Sequence, residues 1–331
     1  MASGPAASPT SSFWLETLPP ELVPPAATSP PADDVVHETV IIGAGMTGAA
    51  TAYWLKALYG RTSVVLDARG CAGGATGRNG GHLWPNPKSD FERDTVARLL
   101  DFLDAEGVAC DLRQRGALAL ERRAVETDVV YHDAPDDPEA DDETEWGEQG
   151  CWDEAACDEA LGRQSDGSFA HGAHFPEAGS FHPAKVVAAL LRRSGARLCA
   201  PVRVLGLADG VDADGTPHVV LSVSAGGAEG APVGGRPAAG APPSSATLRA
   251  RRVVVATNAW AAELLPELAS HLYPARNQVL VTRPLPPAAA EWSVGSLSVD
   301  SDVGARELCA EIILWRPFSA GLDLRRRALS S

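Results

Sequence analysis

Two stretches of nearly bare backbone hold most of the chemistry that this chain could do. Gly43-Ala44-Gly45-Met46-Thr47-Gly48 sets three glycines at GxGxxG spacing. The β-branched run Thr39 to Ile42 leads into it, and a run of small and apolar residues, Ala49 to Leu58, leads out. A strand that turns into a helix in this way presents the helix's first N–H groups to a pyrophosphate, the dinucleotide fingerprint. Gly43 permits the tight turn, Gly45 lets backbone approach the phosphates, and Gly48 lets helix and strand pack closely. Asp67 closes a second buried run, Ser63 to Leu66, 19 residues beyond Gly48. A carboxylate there accepts from a ribose 2′-OH and argues against a 2′-phosphate.

The second stretch, Gly73-Gly74-Ala75-Thr76-Gly77-Arg78-Asn79-Gly80-Gly81, decides between cofactors. A soluble nicotinamide needs no second turn of this kind. A buried flavin does, because backbone must lie closely along its ribityl chain and ring edge. The two turns together favour FAD. Acid-base pairs and metal ligands are not evident: His171, His174 and His182 lack zincin spacing, and a metal site is not expected. The cysteines Cys71, Cys110, Cys151, Cys157, Cys199 and Cys309 form neither a CxxC pair nor a disulfide framework, which fits a reducing, cytoplasmic setting.

The elements that would position these turns can be read from periodicity. Strands are expected at Thr39–Ile42, Ser63–Leu66, from Gly116 to Leu120, and at Val202–Leu207 and Val219–Val223. Helices are expected at Ala49–Leu58, Phe91–Leu103 and Pro183–Arg193, the last with proline at its start and Ser194-Gly195 after it. Between Glu38 and Lys56 lie 17 uncharged, mostly apolar residues, broken by three glycines. They suit a strand, turn and helix better than a membrane span of about 20 residues. The first 34 residues are rich in Pro, Ala and Ser, with an apolar island at Phe13, Trp14 and Leu15, and read as a flexible arm with a docking point. Asp133 to Glu148 carries nine acids and no base, a solvated loop, and 225–246 reads as a low-complexity insertion at a hairpin tip.

At 331 residues, 45% hydrophobic and 21% charged, the chain has room for two ordinary domains with real cores. Lys and Arg number 28 against 43 Asp and Glu, and the net charge of -15 repels nucleic acid and anionic lipid. No Lys or Arg precedes Lys56, so neither a secretory n-region nor a mitochondrial transit peptide is expected.

In these motifs the chain resembles the FAD-dependent oxidoreductases of the D-amino-acid-oxidase-like group, glycine and sarcosine oxidases and γ-glutamylputrescine oxidoreductases among them. It is most similar to fungal members with an N-terminal Trp-Leu arm. VIIGAGMTGAATAYWL (40–55), GATGRNGGH (74–82) and VVVATNAW (253–260) carry the likeness, and FHPAKVVAAL (181–190) and YPARNQVLVTRPL (273–285) follow in the family's order. The resemblance implies an α/β fold, with a Rossmann-like FAD-binding domain of the glutathione-reductase type and an interleaved mixed-sheet substrate domain. The FAD-binding domain would comprise 35–108 and 181–265, and the substrate domain 109–180 and 266–331, after the arm at 1–34.

Residue by residue, the resemblance gives Gly43, Gly45, Met46, Thr47 and Gly48 to the pyrophosphate, Asp67 to the adenosine ribose, and Ala68 and Arg69 to the adenine side. Gly74, Ala75, Thr76, Arg78, Asn79, Gly80 and Gly81 would run along the phosphates, ribityl chain and flavin. Val204 would pair with adenine through its backbone, and Ala256, Thr257 and Asn258 would close over the adenosine. His82 would project near the flavin, and Arg276, with Gln278 beside it, would meet a substrate carboxylate. The implied activity is oxidation of a C–N bond in a small amine or amino acid, by hydride transfer to flavin N5 with O2 as acceptor. Family members continue beyond this length: Ile312 to Pro317 is similar to the start of their closing segment, and Arg325, Arg326 and Arg327 stand where glycines and a buried strand are expected. A C-terminally truncated member is therefore expected, the alternative to an active enzyme being an FAD-binding remnant without catalysis.

Overall fold

The computed structural model describes residues 12–31, 35–85, 89–114, 116–122, 151–161, 169–225, 244–272, 279, 296–300 and 310–312. From the N-terminal side come helix α1 (Phe13–Glu16), strands β1 (Ala26–Ala27) and β2 (Val36–Ile42), helix α2 (Met46–Tyr59), strands β3 (Val64–Leu66) and β4 (His82–Leu83), and helix α3 (Asp90–Ala105). Strands β5 (Ala117–Arg122) and β6 (Cys151–Trp152), helix α4 (Glu154–Leu161), strands β7 (Phe169–Phe175) and β8 (Gly179–Ser180), helix α5 (Pro183–Ser194) and strand β9 (Arg197–Cys199) follow. Strands β10 (Val202–Val211), β11 (Pro217–Ala225) and β12 (Ser244–Val255), helix α6 (Ala261–Leu264), and strands β13 (Ser296–Asp300) and β14 (Ala310–Ile312) complete the described strands and α-helices. Two compact units emerge, one of Met1–Gly81, Ala97–Leu112 and Phe181–Gln278, the other of His82–Val96, Arg113–Ser180 and Val279–Ser331.

The first unit is built on a seven-stranded sheet of order β1-β9-β3-β2-β12-β11-β10. Its strands from β1 to β12 run parallel, and β11 and β10 add on antiparallel. Parallel strands covered on both faces must be apolar throughout, and Val40, Ile41, Val65 and Leu66 are fully buried. On one face Val40, Ile42, Val64, Leu66, Leu221 and Leu248 share a core. On the other, α2 turns its smallest residues, Gly48, Ala49 and Ala52, inward. A Cβ on residue 48 would meet the Gly43 carbonyl oxygen at 1.9 Å and Ile41 Cγ2 at 3.3 Å, so only glycine lets this helix seat. The uncharged stretch between Glu38 and Lys56 thus becomes β2, a turn and most of α2. Among the described residues no helix is long and apolar enough to cross a membrane.

Helix α5 begins at Pro183, behind His182 as N-cap, and ends at Gly195 in the left-handed conformation, φ 63°. His182 Nδ1 accepts the Lys185 N–H at 3.3 Å, which leaves the ring proton on Nε2, 3.1 Å from Thr17 Oγ1. The ring is fully buried.

Residues 12–31 are not the free arm that their composition suggests. Trp14, Leu15 and Leu18 are buried, and β1 pairs with β9 at the sheet edge. Edge pairing runs through backbone N–H and C=O groups, which Pro/Ala/Ser composition does not report. β11 and β12 are antiparallel neighbours with Ala225 opposite Ser244, and residues 226–243 of the expected insertion lie outside the described residues. So do the acidic run 133–148 and the arginines 325–327.

The second unit carries a mixed five-stranded sheet, β14-β13-β5-β7-β6, with β5 parallel to β13 and antiparallel to β7. A two-stranded ribbon of β4 and β8 pairs His82 with Ser180.

Two outcomes test this packing. Gly48→Val forces a branched Cβ into the Gly43 carbonyl and is expected to cost about 3 kcal/mol in urea unfolding. The His182 imidazole is pushed down to about 4 from 6.5, by burial first and by the Lys185 charge second, against an opposing pull from Asp111. The unfolded chain therefore binds one more proton than the folded chain between those values, and stability falls as pH drops from about 6.5 to about 4. The loss should reach about 3 kcal/mol, and that acid limb should flatten in His182→Asn, which keeps a capping oxygen and cannot titrate.

Candidate functional site

The carboxyl ends of β2, β3 and β12 and the N-terminus of α2 surround a cleft of about 680 Å³. Ligand pockets take about 300–1,000 Å³, and this one lies where α/β sheets bind ligands, at the point where strand order reverses. In the order β9-β3-β2-β12 that point falls between β2 and β12.

Gly43 turns the chain at φ +113°, and a Cβ there would lie 2.3 Å from the Ala256 carbonyl oxygen. The first glycine turn thus rests against the end of β12. Gly45 is the N-cap of α2 with no side-chain cap, and the first turn of the helix has no acid, so the positive end of the helix dipole is not neutralised from within. Thr76 Oγ1 accepts the Met46 N–H at 3.1 Å, tying the second glycine-rich turn to the first. A Cβ on Gly45 would crowd that same hydroxyl at 3.1 Å.

Asp67 does more than wait for a sugar. Its Oδ2 accepts from Ala44 N–H at 2.8 Å, and its Oδ1 accepts from Arg69 N–H and Gly70 N–H at 2.7 Å each. A carboxylate offers about four acceptor positions, so three are used on backbone and one stays open to a hydroxyl. Cys71 lies nearby, its thiol pushed up to about 12 by burial and by the Asp67 charge, so it stays protonated and unreactive.

Arg69 and Arg78 both line the cleft. Burial and the Arg69 charge lower the pKa of Arg78, whose guanidinium also donates to the Gly73 carbonyl at 2.6 Å. Guanidinium remains a cation under such shifts, so Arg69 and Arg78 bring two positive charges to the cleft beyond the Arg203–Glu263 pair, in a chain of net charge -15. In the same lining, Thr257 Oγ1 is buried with no hydrogen-bond partner among the described residues, and Asn258 holds the left-handed conformation, φ 50°. A buried hydroxyl without a partner marks a place for a polar ligand atom.

Of the residues singled out in sequence, Gly43, Gly45, Met46, Thr47, Asp67, Ala68, Arg69, Gly74, Ala75, Thr76, Arg78, Val204, Ala256, Thr257 and Asn258 line this cleft. Gly48 sits beneath the turn, against Gly43. Asn79, Gly80 and Gly81 are not among the lining residues. His82 belongs to β4 in the second unit, its ring 6.1 Å from that of Trp84, and Arg276 and Gln278 lie outside the described residues. Sequence reasoning missed the far wall, made by Val202, Arg203, Trp260, Glu263 and Leu264. Trp260 ends the quoted VVVATNAW and was the available signal. The Arg203–Glu263 pair at 3.3 Å joins β10 to α6, a contact between residues 60 apart that no local pattern announces.

Residues 38–306 match the family described as FAD dependent oxidoreductase, abbreviated DAO. The chain belongs to this FAD-dependent oxidoreductase family. No curated protein sequence matches it. Among solved structures it is similar to glycine oxidase from Geobacillus kaustophilus, with 18% identity and a TM-score of 0.52 over 81% of this chain and 66% of that one. It is also similar to L-proline dehydrogenase from P. horikoshii, with 15% identity and a TM-score of 0.50 over 81% of this chain and 65% of that one. At such identities the likeness is one of fold, and the chain spans 66% and 65% of the lengths of those two proteins. The cleft fits the family's cofactor on its own terms: bare backbone at Gly43 and Gly45, the cations of Arg69 and Arg78, and the buried Thr257 hydroxyl without a partner among the described residues.

Asp67→Asn places an amide N–H against one of three backbone donors. The variant is expected to lose about 2 kcal/mol of stability in urea unfolding, and its FAD Kd, read by quenching of flavin fluorescence, should rise about tenfold.

Proposed function

We propose that this chain binds FAD in the cleft of its first unit and oxidises a C–N bond of a small amine or amino acid. The observation that carries the reading is the pair of glycine-rich turns joined by Thr76 and Met46 at the N-terminus of α2, where the N-cap residue is a glycine and the first turn has no acid. Gly43, Gly45, Met46 and Thr47 hold the pyrophosphate, with Gly48 keeping the helix in place behind them. The open acceptor position on Asp67 takes a ribose hydroxyl. Ala68, Arg69 and the Val204 backbone border the adenine, and Ala256, Thr257 and Asn258 close over the adenosine, where the buried Thr257 hydroxyl finds a partner. Gly74, Ala75, Thr76, Arg78, Asn79, Gly80 and Gly81 belong to the phosphate, ribityl and ring side.

FAD, held by these residues, would supply the redox chemistry: two-electron oxidation of the C–N bond of a neutral amine, by hydride transfer to flavin N5 with O2 as the final acceptor. The chain's part is orientation and the exclusion of competing reactions. The resemblance places His82, one residue past Gly81, near the flavin, and gives the substrate carboxylate to Arg276, whose planar cation suits it. Glycine oxidase and L-proline dehydrogenase are named for amino acids, which supports an amino-acid or related amine substrate. Cys71, Cys110, Cys157 and Cys199 are free and buried, in keeping with a reducing, cytoplasmic setting.

The purified chain is expected to carry visible flavin absorbance and to bleach under anaerobic conditions on addition of a small amine or amino acid, with hydrogen peroxide released when air is readmitted. Colour that no amine bleaches would leave cofactor binding and remove turnover. A colourless protein that binds NAD would overturn the reading altogether.

A further inference from the structure

The second glycine-rich turn has two sides. Gly74, Ala75, Thr76 and Arg78 face the cleft. Residues 77, 79 and 81 are held from behind by the segment that starts at Ser12. Ser12 Oγ donates to the Gly77 carbonyl, and Trp14 Nε1 donates to the Asn79 carbonyl at 2.7 Å. The Trp14 ring lies on Gly81, where a Cβ would meet its Cζ2 at 2.6 Å, and Leu15 lies on Gly77, where a Cβ would meet its Cδ2 at 2.9 Å. Trp14 is 4% exposed.

The segment is itself anchored on α5. The Trp14 and His182 rings meet edge to face at 4.9 Å, and Thr17 Oγ1 meets His182 Nε2 at 3.1 Å. Gly81 adopts φ +71° and is tied on its other side by the Phe181 N–H at 2.9 Å. A turn this rich in glycine loses more freedom on ordering than any other backbone, so its shape must be imposed from outside. Here the imposing surface is Trp14.

We infer that Trp14 is a positioning residue for the flavin half of the cofactor: it braces the back of the 77–81 turn so that the front meets the ribityl chain and ring already ordered. This rests on the assignment of that turn to FAD made above. Preorganisation of a loop shows up as affinity, because the ordering is completed before the ligand arrives. The adenosine half is assigned to Asp67, Val204 and the end of β12, whereas the Trp14 ring and N–H meet Phe13, Asn79, Gly81 and His182, so adenosine affinity should not depend on the brace.

Full-length protein stripped of flavin is titrated with FAD and, separately, with AMP. Trp14→Ala is expected to raise the FAD Kd by about tenfold or more while the AMP Kd changes by less than about twofold. Trp14→Phe keeps a ring on Gly81, loses the N–H to Asn79, and should raise the FAD Kd about threefold; it decides the question if Trp14→Ala does not fold. An unchanged FAD Kd in these variants overturns the brace and leaves FAD binding intact. Equal weakening of FAD and AMP also overturns it, because the segment then merely supports the fold. Wild-type protein that binds neither ligand removes the FAD reading, and the brace with it.

Discussion

One close approach governs the first unit. The Gly43 carbonyl occupies the space where any side chain on residue 48 would begin. That contact presses α2 onto the sheet and fixes where its N-terminus points. Gly43 in turn abuts the Ala256 carbonyl, so the same few atoms set the distance between the helix and the end of β12. The cleft is the space left over. Its position follows from strand order, since the chain leaves β2 toward β3 on one side and reaches β12 on the other, which opens a crevice at the carboxyl ends.

Charge is arranged to suit an anion at that place. The acidic chain places Arg69, Arg78 and a helix N-terminus around the cleft; of the two carboxylates that line it, Glu263 is paired with Arg203 and Asp67 takes three backbone N–H groups. Those donors spread the Asp67 charge locally and lessen its repulsion of phosphates. The same bonds join the first glycine turn to the loop after β3, so a residue suited to sugar recognition also holds the walls together. Electrostatics and architecture meet in one side chain.

Rigidity of glycine-rich backbone has to come from its neighbours. The first turn gets it from β12 and from Asp67. The second gets it from Thr76 in front and from Trp14, Leu15 and Ser12 behind. His182 sits at the far end of this chain of contacts, capping α5 and meeting both Trp14 and Thr17 while buried and uncharged. A histidine that could be imagined as a metal ligand from sequence is instead a joint between a helix start and the N-terminal segment.

Much of this was legible in the residues alone. Period and glycine spacing located β2, α2, β3 and α5 to within a few residues, because local backbone preference and the apolar run decide such elements. Fifteen of the proposed cofactor residues do line one cleft, since a fingerprint encodes backbone geometry that has few alternatives. The strands β1 and β9, two and three residues long, were not legible, because they exist only through pairing with neighbours distant in the chain. Nor was the wall of Arg203, Trp260 and Glu263, or the seat of Trp14 on Gly81. The amino-acid order by itself determined where backbone must be bare and where a carboxylate must follow a strand. Only the tertiary structure decided what leans on that bare backbone, because glycine has no side chain to specify a partner and its contacts are chosen by whatever the fold brings against it.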